Sequence, residues 1–261
     1  RWIEKFDLVI VPPQYSVPAM PNVLHLSLPL VRSDADAVAK ATPAWRARLN
    51  SLQKPLIAVF VGGATKPFRF DAAAARELLE RCERLRTDYA GTLYFSTSRR
   101  TSPAIIRVLR EQLPAGAQLY EWRQNGSQNP YLALLEFADY CVVTGDSVSM
   151  MLEVADRHKP LAIFELPSIW GGRLWQSLTH RLHAPAGSDS TNRLWRWAGR
   201  RLYRAGIVGF ARDLTRIHQA LFADGLAVRL GAAFRQPSTA LADELTPIRE
   251  RILSMLDVPP P

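Results

Sequence analysis

Between residues 55 and 167 the chain alternates short, wholly apolar runs with longer stretches that are apolar on one side only. Pro55–Val61, Thr92–Thr97, Tyr140–Thr144 and Pro160–Phe164 read as strands, with a briefer one at Gln118–Trp122. The stretch Ala72–Arg86 reads as a helix: Asp71 stands where a cap belongs, and Ala74, Leu78, Leu79, Cys82 and Leu85 form one stripe. Further helices are expected from Ser102-Pro103 through Leu113, over Tyr131–Ala138 and over Val148–Arg157. Strands that are apolar at every position must be covered on both faces, which a parallel sheet with helices on either side provides. Right-handed crossovers then give an α/β, Rossmann-like parallel-sheet domain.

The flanks read differently. Phe6–Val11 and Asn22–Leu28 are candidate strands around a proline-rich stretch, and residues 32–54 a helical connector. An amphipathic helix near Ala240–Met255 precedes a proline tail. The expected division is residues 1–50 as the closing part of an N-terminal domain plus connector, 51–236 as the sheet domain with an insertion at 168–215, and 237–261 as a helix and tail. Arg1 leads almost directly into a strand, as in a chain entered partway through a domain, and no signal peptide is read.

Composition changes this picture little: 48% hydrophobic and 22% charged residues describe an ordinary globular chain. No run nears the roughly 18–20 apolar residues of a spanning helix. Cys82 and Cys141 fit no metal or redox spacing and are expected as reduced core residues of a cytoplasmic protein. The net charge of +9 matters more once located: residues 173–216 hold nine arginines, two aspartates and neither Lys nor Glu. Basicity so confined does not suit a nucleic-acid binder, which spreads charge along a face.

Ligands of open parallel sheets bind beyond the carboxyl ends of the strands, so the loops there carry the candidate chemistry. Gly62-Gly63-Ala64-Thr65-Lys66-Pro67-Phe68-Arg69 combines two glycines, whose amides can approach a phosphate, with the cations Lys66 and Arg69. It is no P-loop, lacking the GK[ST] ending, and equally suits a tight turn with solvated cations. Ser98-Arg99-Arg100 places a hydroxyl and two cations at a helix start, where an anion is favoured, or is a plain cap with exposed arginines. The polar loop 121–129 is suited to covering a nucleobase or to no special role. The most pointed loop is Thr144-Gly145-Asp146-Ser147-Val148-Ser149. Here helix amides with Ser147 and Ser149 make a diphosphate site, and Glu153 is placed to accept from a ribose diol. The plainer alternative makes Asp146 or Ser147 an N-cap and Glu153 a solvated residue. The first loop lacks GxGxxG, which weighs against a dinucleotide oxidoreductase.

This layout resembles the C-terminal domain of GT-B glycosyltransferases, including the peptidoglycan lipid-intermediate transferase. More closely, GGATKPFRFD, STSRRTSP, NPYLALLEFADYCVVTGDSVSMMLEV and KPLAIFELP, with RIHQALFADGLAVRLG further on, resemble the ELM-type mitochondrial-fission family, widespread in bacteria as presumed GT-B glycosyltransferases. The resemblance implies a GT-B-type fold with the remnant of a second, N-terminal Rossmann-like domain. It also implies a donor site formed by Gly62, Gly63, Lys66, Arg69, Ser98, Arg99, Arg100, Asn129, Asp146, Ser147, Ser149 and Glu153. The expected reaction is sugar transfer from a nucleotide-diphosphate donor to a lipid-linked or cell-envelope acceptor, without metal or cofactor and with no catalytic residue assigned. The alternative is a non-catalytic, membrane-associated scaffold. Pro12-Pro13-Gln14-Tyr15 departs from the family's acidic or His-containing turn, which leaves the general base unassigned. The family pattern offers no obvious counterpart to residues 168–215, which read as an insertion.

Within that insertion Arg193, Arg196, Arg200 and Arg204 share one side of a helical wheel, bordered by Trp195 and Trp197. A basic amphipathic helix edged with tryptophan suits an anionic membrane surface, with Trp195, Arg196, Trp197, Arg200 and Arg204 as contacts. The alternative is an excursion packed on the domain with its arginines in water. Peripheral placement on the inner face of the cytoplasmic membrane follows as an expectation.

Overall fold

The computed structural model describes residues 3–15, 17–31, 34–66, 68–124, 128–168, 197, 201 and 212–256. Its described elements are, in chain order, β1 (Val9–Val11), β2 (Val23–His25), α1 (Ala35–Asn50), β3 (Leu56–Val61), α2 (Ala72–Tyr89) and β4 (Thr92–Thr97). There follow α3 (Pro103–Glu111), β5 (Gln118–Tyr120), α4 (Tyr131–Phe137), β6 (Tyr140–Thr144), α5 (Val148–Asp156) and β7 (Leu161–Phe164). The series closes with α6 (Thr215–Ala223), β8 (Val228–Arg229) and α7 (Leu245–Met255). These belong to two compact units. One draws on residues within 1–30, 170–220 and 242–261, the other on 31–169 and 221–241. This divides the chain differently from the spans read in the sequence. The connector helix α1 joins the larger unit, where it packs on α4, and α7 joins the smaller.

The larger unit is built on six parallel strands in the order β5-β4-β3-β6-β7-β8. Successive crossovers run outward from β3 in one direction and from β6 in the other, so the order reverses between these two central strands. Each residue of β3, β4 and β7 is buried, as strands covered on both faces must be. Phe60, Tyr94, Phe95 and Phe164 are the largest side chains of this core. Asp71 caps α2 by accepting the Ala74 N–H at 3.0 Å, and Ala90, at φ 52°, ends that helix in a left-handed turn.

Several sequence expectations are revised. Only Val9–Val11 of the stretch Phe6–Val11 forms a strand, because Asn22 Nδ2 donates to the carbonyls of Ile3 and Phe6, both at 2.9 Å, and holds that segment as a turn. The strand expected to reach Trp122 stops at Tyr120, and the Trp122 N–H turns to Thr97 Oγ1 at 2.8 Å. Strand β8 was not foreseen; it extends the sheet beside β7. Both cysteines are free and buried, and burial alone pushes the Cys82 thiol up and is the main cause that takes Cys141 to about 12, so both stay protonated and inert. Among the described residues no helix is long and apolar enough to cross a membrane, and no His/Cys/Asp/Glu group is placed to hold a metal.

Candidate functional site

The reversal of strand order puts the carboxyl ends of β3 and β6 side by side, and the loops leaving them are tied into one network. Thr144, the last residue of β6, accepts the Gly62 N–H through Oγ1 at 2.8 Å and donates to Asp146 Oδ1 at 2.7 Å. Asp146 Oδ2 accepts the Gly63 N–H at 2.8 Å and the Ser147 hydroxyl at 3.1 Å. The loop after β4 joins through Arg100, whose Nη2 lies 3.0 Å from both Asp146 Oδ2 and Ser147 Oγ, while Nη1 donates to Thr65 Oγ1 at 2.6 Å. Thr101 Oγ1 sits 2.6 Å from the Gly62 carbonyl and 2.9 Å from that of Val61, and accepts the Ser98 N–H at 2.9 Å. The Asp146 side chain is fully buried and that of Arg100 is 44% exposed, so the pair has one dry end and one wet end.

This arrangement changes the role of the two glycines. Their amides were expected to face a phosphate; both are instead donated within the protein, to Thr144 and Asp146. Glycine is needed here because the loops approach so closely. A Cβ on Gly62 would stand 2.1 Å from Ser147 Oγ and 2.2 Å from Asp146 Oδ2, and one on Gly63 would stand 2.0 Å from the Arg100 carbonyl oxygen. Asp146 likewise serves as an internal acceptor.

The remaining sequence candidates divide. Lys66 and Arg99 are exposed on the loops after β3 and β4, at the same sheet edge as the network. Arg69 pairs with Asp71 at 2.9 Å, which directs it toward the α2 cap. Ser98 Oγ accepts the Arg100 N–H at 3.3 Å. Asn129 Oδ1 accepts the Tyr131 N–H at 3.0 Å and so fastens the start of α4. Ser147 is the N-cap residue of α5, yet its hydroxyl is spent on Asp146 and Arg100 and makes no capping bond. Ser149 is exposed on the first turn of α5. The first α5 N–H bonded back along the helix is that of Met151, to the Ser147 carbonyl at 3.1 Å. The amides at Val148, Ser149 and Met150 precede it, at the positive end of the helix.

Glu153 has a partner the sequence did not suggest. The Tyr131 hydroxyl, from α4, donates to Glu153 Oε2 at 2.8 Å, and the Tyr131 ring meets Phe60 edge-on with centroids 5.0 Å apart. Burial raises the Glu153 carboxyl above its usual range, against the Tyr131 hydrogen bond and the Arg157 charge, both of which lower it. Burial first, then the Glu153 charge, keeps the Tyr131 phenol protonated. The only sequence signal for Tyr131 was an aromatic residue just inside a helix that opens at Asn129-Pro130. Of the residues proposed for membrane contact, Trp195, Arg196, Arg200 and Arg204 lie outside the described residues. Trp197 is 52% exposed, with the Arg201 guanidinium 4.6 Å from its ring centroid.

Among solved structures, similarity extends to S. aureus MnaA with UDP, 12% identical with a TM-score of 0.40 over 82% of this chain and 48% of that one. It extends also to UDP-GlcNAc 2-epimerase from Neisseria meningitidis bound to UDP-GlcNAc, 10% identical with a TM-score of 0.39 over 77% and 56%. In sequence, the chain is 30% identical over 153 residues to the mitochondrial fission protein ELM1 of Arabidopsis thaliana, covering 58% of this chain and 34% of that protein. It is 30% identical over 130 residues to an uncharacterized protein of Rickettsia prowazekii (strain Madrid E), covering 49% and 35%. The chain thus spans about a third of the length of these curated relatives. The profile of the mitochondrial fission ELM1 family matches residues 1–186, a span that takes in the first part of the segment 168–215 expected as an insertion, and the chain belongs to that family.

Proposed function

We propose that the crevice at the carboxyl ends of β3 and β6 binds a nucleotide-diphosphate sugar, and that the chain is the donor-binding part of a GT-B-type glycosyltransferase acting on a lipid-linked or cell-envelope acceptor. The observation that carries this reading is the meeting of the β3, β4 and β6 loops at the reversal of strand order, with the N-terminus of α5 opening there. Such a reversal is where open α/β sheets take their ligands. With the glycine amides engaged, the diphosphate falls to the first-turn amides of α5, to Ser149, and to Lys66, Arg99 and the exposed end of Arg100. Helix amides and cations stabilise the negative charge that develops on a leaving diphosphate, so the reading calls for no cofactor. Glu153, a turn and a half along α5, accepts from the ribose hydroxyls while Tyr131 holds one of its oxygens.

Glu153→Gln is expected to weaken UDP, GDP or CDP binding by about 1–3 kcal/mol, the range for a hydrogen bond to a charged group. Unchanged calorimetric affinity for all three nucleotides would refute the ribose assignment. Stability should move otherwise. A carboxyl whose value is raised by burial contributes stability below its unfolded value, and that contribution disappears as pH rises through the folded value. Glu153→Gln should therefore leave stability near neutrality unchanged or slightly higher and abolish this pH dependence. If the wild type binds no nucleotide at millimolar concentration, the scaffold reading is favoured. The observation behind it is that Asp146 already occupies the Gly63, Thr144, Ser147 and Arg100 donors.

Peripheral attachment to the inner face of an anionic membrane is part of the same proposal. It is supported by the local arginine surplus and the exposed Trp197. Changing Arg196, Arg200 and Arg204 together to Glu should abolish co-sedimentation with anionic liposomes, since each basic residue near such a surface contributes about 1 kcal/mol. Equal sedimentation of both proteins would leave the segment with no membrane role.

A further inference from the structure

The smaller unit contains a second convergence of polar groups. It lies at the carboxyl ends of its parallel pair, where Val11 of β1 is in register with His25 of β2. The chain leaves β1 through Pro12-Pro13-Gln14-Tyr15, turned by a bond from the Tyr15 N–H to the Pro12 carbonyl at 3.1 Å. The segment before α6 is fastened to this turn: Tyr15 bridges Arg212, and the Asp213 N–H donates to the Gln14 carbonyl at 2.7 Å. Arg216, in the first turn of α6, reaches back so that its Nη1 lies 3.3 Å from the Pro13 carbonyl oxygen.

Two atoms of the residues that meet at this turn are buried without a hydrogen-bond partner: Gln14 Oε1 and Arg216 Nε. Gln14 is only 8% exposed. One atom is an acceptor and the other a donor; Gln14 is tied to the segment before α6 through Asp213, and Arg216 reaches the turn through its side chain to Pro13. The Asp213 carboxylate accepts from Thr215 N at 3.0 Å and from Thr215 Oγ1 at 2.6 Å. The Arg216 guanidinium is nevertheless desolvated enough that burial lowers its pKa, with the Asp213 charge only partly opposing. His25 is exposed at the end of β2, in register with Val11, and its pKa is lowered by local desolvation and then by the Arg216 charge. A buried polar atom left unsatisfied is destabilising, and a bound polar group that supplies the missing partner relieves that cost.

We propose that Gln14 and Arg216 form a binding site for an oxyanion borne on a polyol, such as a sugar phosphate. Arg216 Nε donates to an oxygen of the anion and Gln14 Oε1 accepts from a hydroxyl of the polyol. A sugar phosphate meets the two atoms with separate groups, its anion taking the Arg216 charge and a hydroxyl donating to Gln14 Oε1, and so is expected to bind more tightly than either part alone. A free sugar phosphate and the phosphoinositol head of a lipid both present this chemistry.

The test is calorimetry on the full chain with inorganic phosphate, glucose and glucose 1-phosphate, alongside sedimentation with phosphatidylcholine vesicles with and without phosphatidylinositol. Glucose 1-phosphate should bind at least tenfold more tightly than either phosphate or glucose; if only the phosphatidylinositol vesicles bind, the source is the lipid head. Arg216→Met should lose at least tenfold for whichever probe binds. Gln14→Met should keep phosphate binding and lose the preference for the sugar phosphate. UDP affinity should be the same in all three proteins. Should Arg216→Met fail to fold, Gln14→Met and Arg216→Lys, which lacks Nε, carry the test with the same expected loss of preference and of affinity respectively. Absence of binding by the wild type in both arms overturns the proposal. So does undiminished binding by folded Arg216 variants, or a parallel loss of UDP affinity.

Discussion

Gly63→Ala is expected to lower the stability of the chain by about 3 kcal/mol or more, at the upper end of what overpacking costs. The added methyl would lie 2.0 Å from the Arg100 carbonyl oxygen and 2.5 Å from its carbonyl carbon. Both are backbone atoms, so no rotamer change clears the space. The loops after β3 and β4 must separate, and the Gly63 bond to Asp146 and the Thr101 contact with Gly62 are lost with them. Gly116→Ala is the control. Nothing stands within 4 Å of its Cβ position, and its cost is confined to the positive φ of 80°, about 1 kcal/mol. Urea midpoints of the two variants should differ clearly, and similar midpoints would show that the loops part without penalty.

Asp146→Ala should cost nearly as much, about 3 kcal/mol, although it removes no apolar contact. It leaves the buried Gly63 N–H without an acceptor, at about 1–3 kcal/mol. The Thr144 and Ser147 hydroxyls lose theirs as well, and the Arg100 guanidinium loses its carboxylate while keeping Thr65 and Ser147. Breaking a buried ion pair from one side costs about 3–5 kcal/mol in general. Here Arg100 is the wet end and can turn to water, which keeps the total at the lower edge of that range. Asp146→Asn retains the shape but cannot match both oxygens, because its amide nitrogen must face a donor on one side. It is expected to fall between Ala and the wild type. A urea-derived loss below about 1 kcal/mol for Asp146→Ala would mean that the network contributes geometry without stability.

The sheet was legible because apolar runs such as Pro55–Val61 and Tyr140–Thr144 leave few other ways to bury both faces. The edge that gathers the loops followed from parallel topology. The destination of the glycine amides was not legible. A pair of glycines announces that something comes close, and whether that is a phosphate or Asp146 from the loop after a strand distant in sequence depends on register. Tyr131 was missed for a related reason: its role arises from α4 lying beside α5, which neither helix encodes alone. Strand β8 escaped because two residues, one of them Arg229, offer no periodicity to read. The Gln14 turn drew attention only as a departure from a family pattern. The side chain that reaches this turn, Arg216, comes from α6, some two hundred residues further along the chain.

The late placement of β8 has a consequence for synthesis on the ribosome. The strands from β3 to β7 emerge in one continuous stretch, and the helices between them can cover the sheet as they appear. The last neighbour of β7 is supplied only when Val228 and Arg229 leave the exit tunnel. Until then, among the described residues, nothing pairs with the outer side of Leu161–Phe164, an apolar edge of the kind that recruits other chains. A ribosomal pause between Phe164 and Val228 is therefore expected to increase aggregation of the nascent chain.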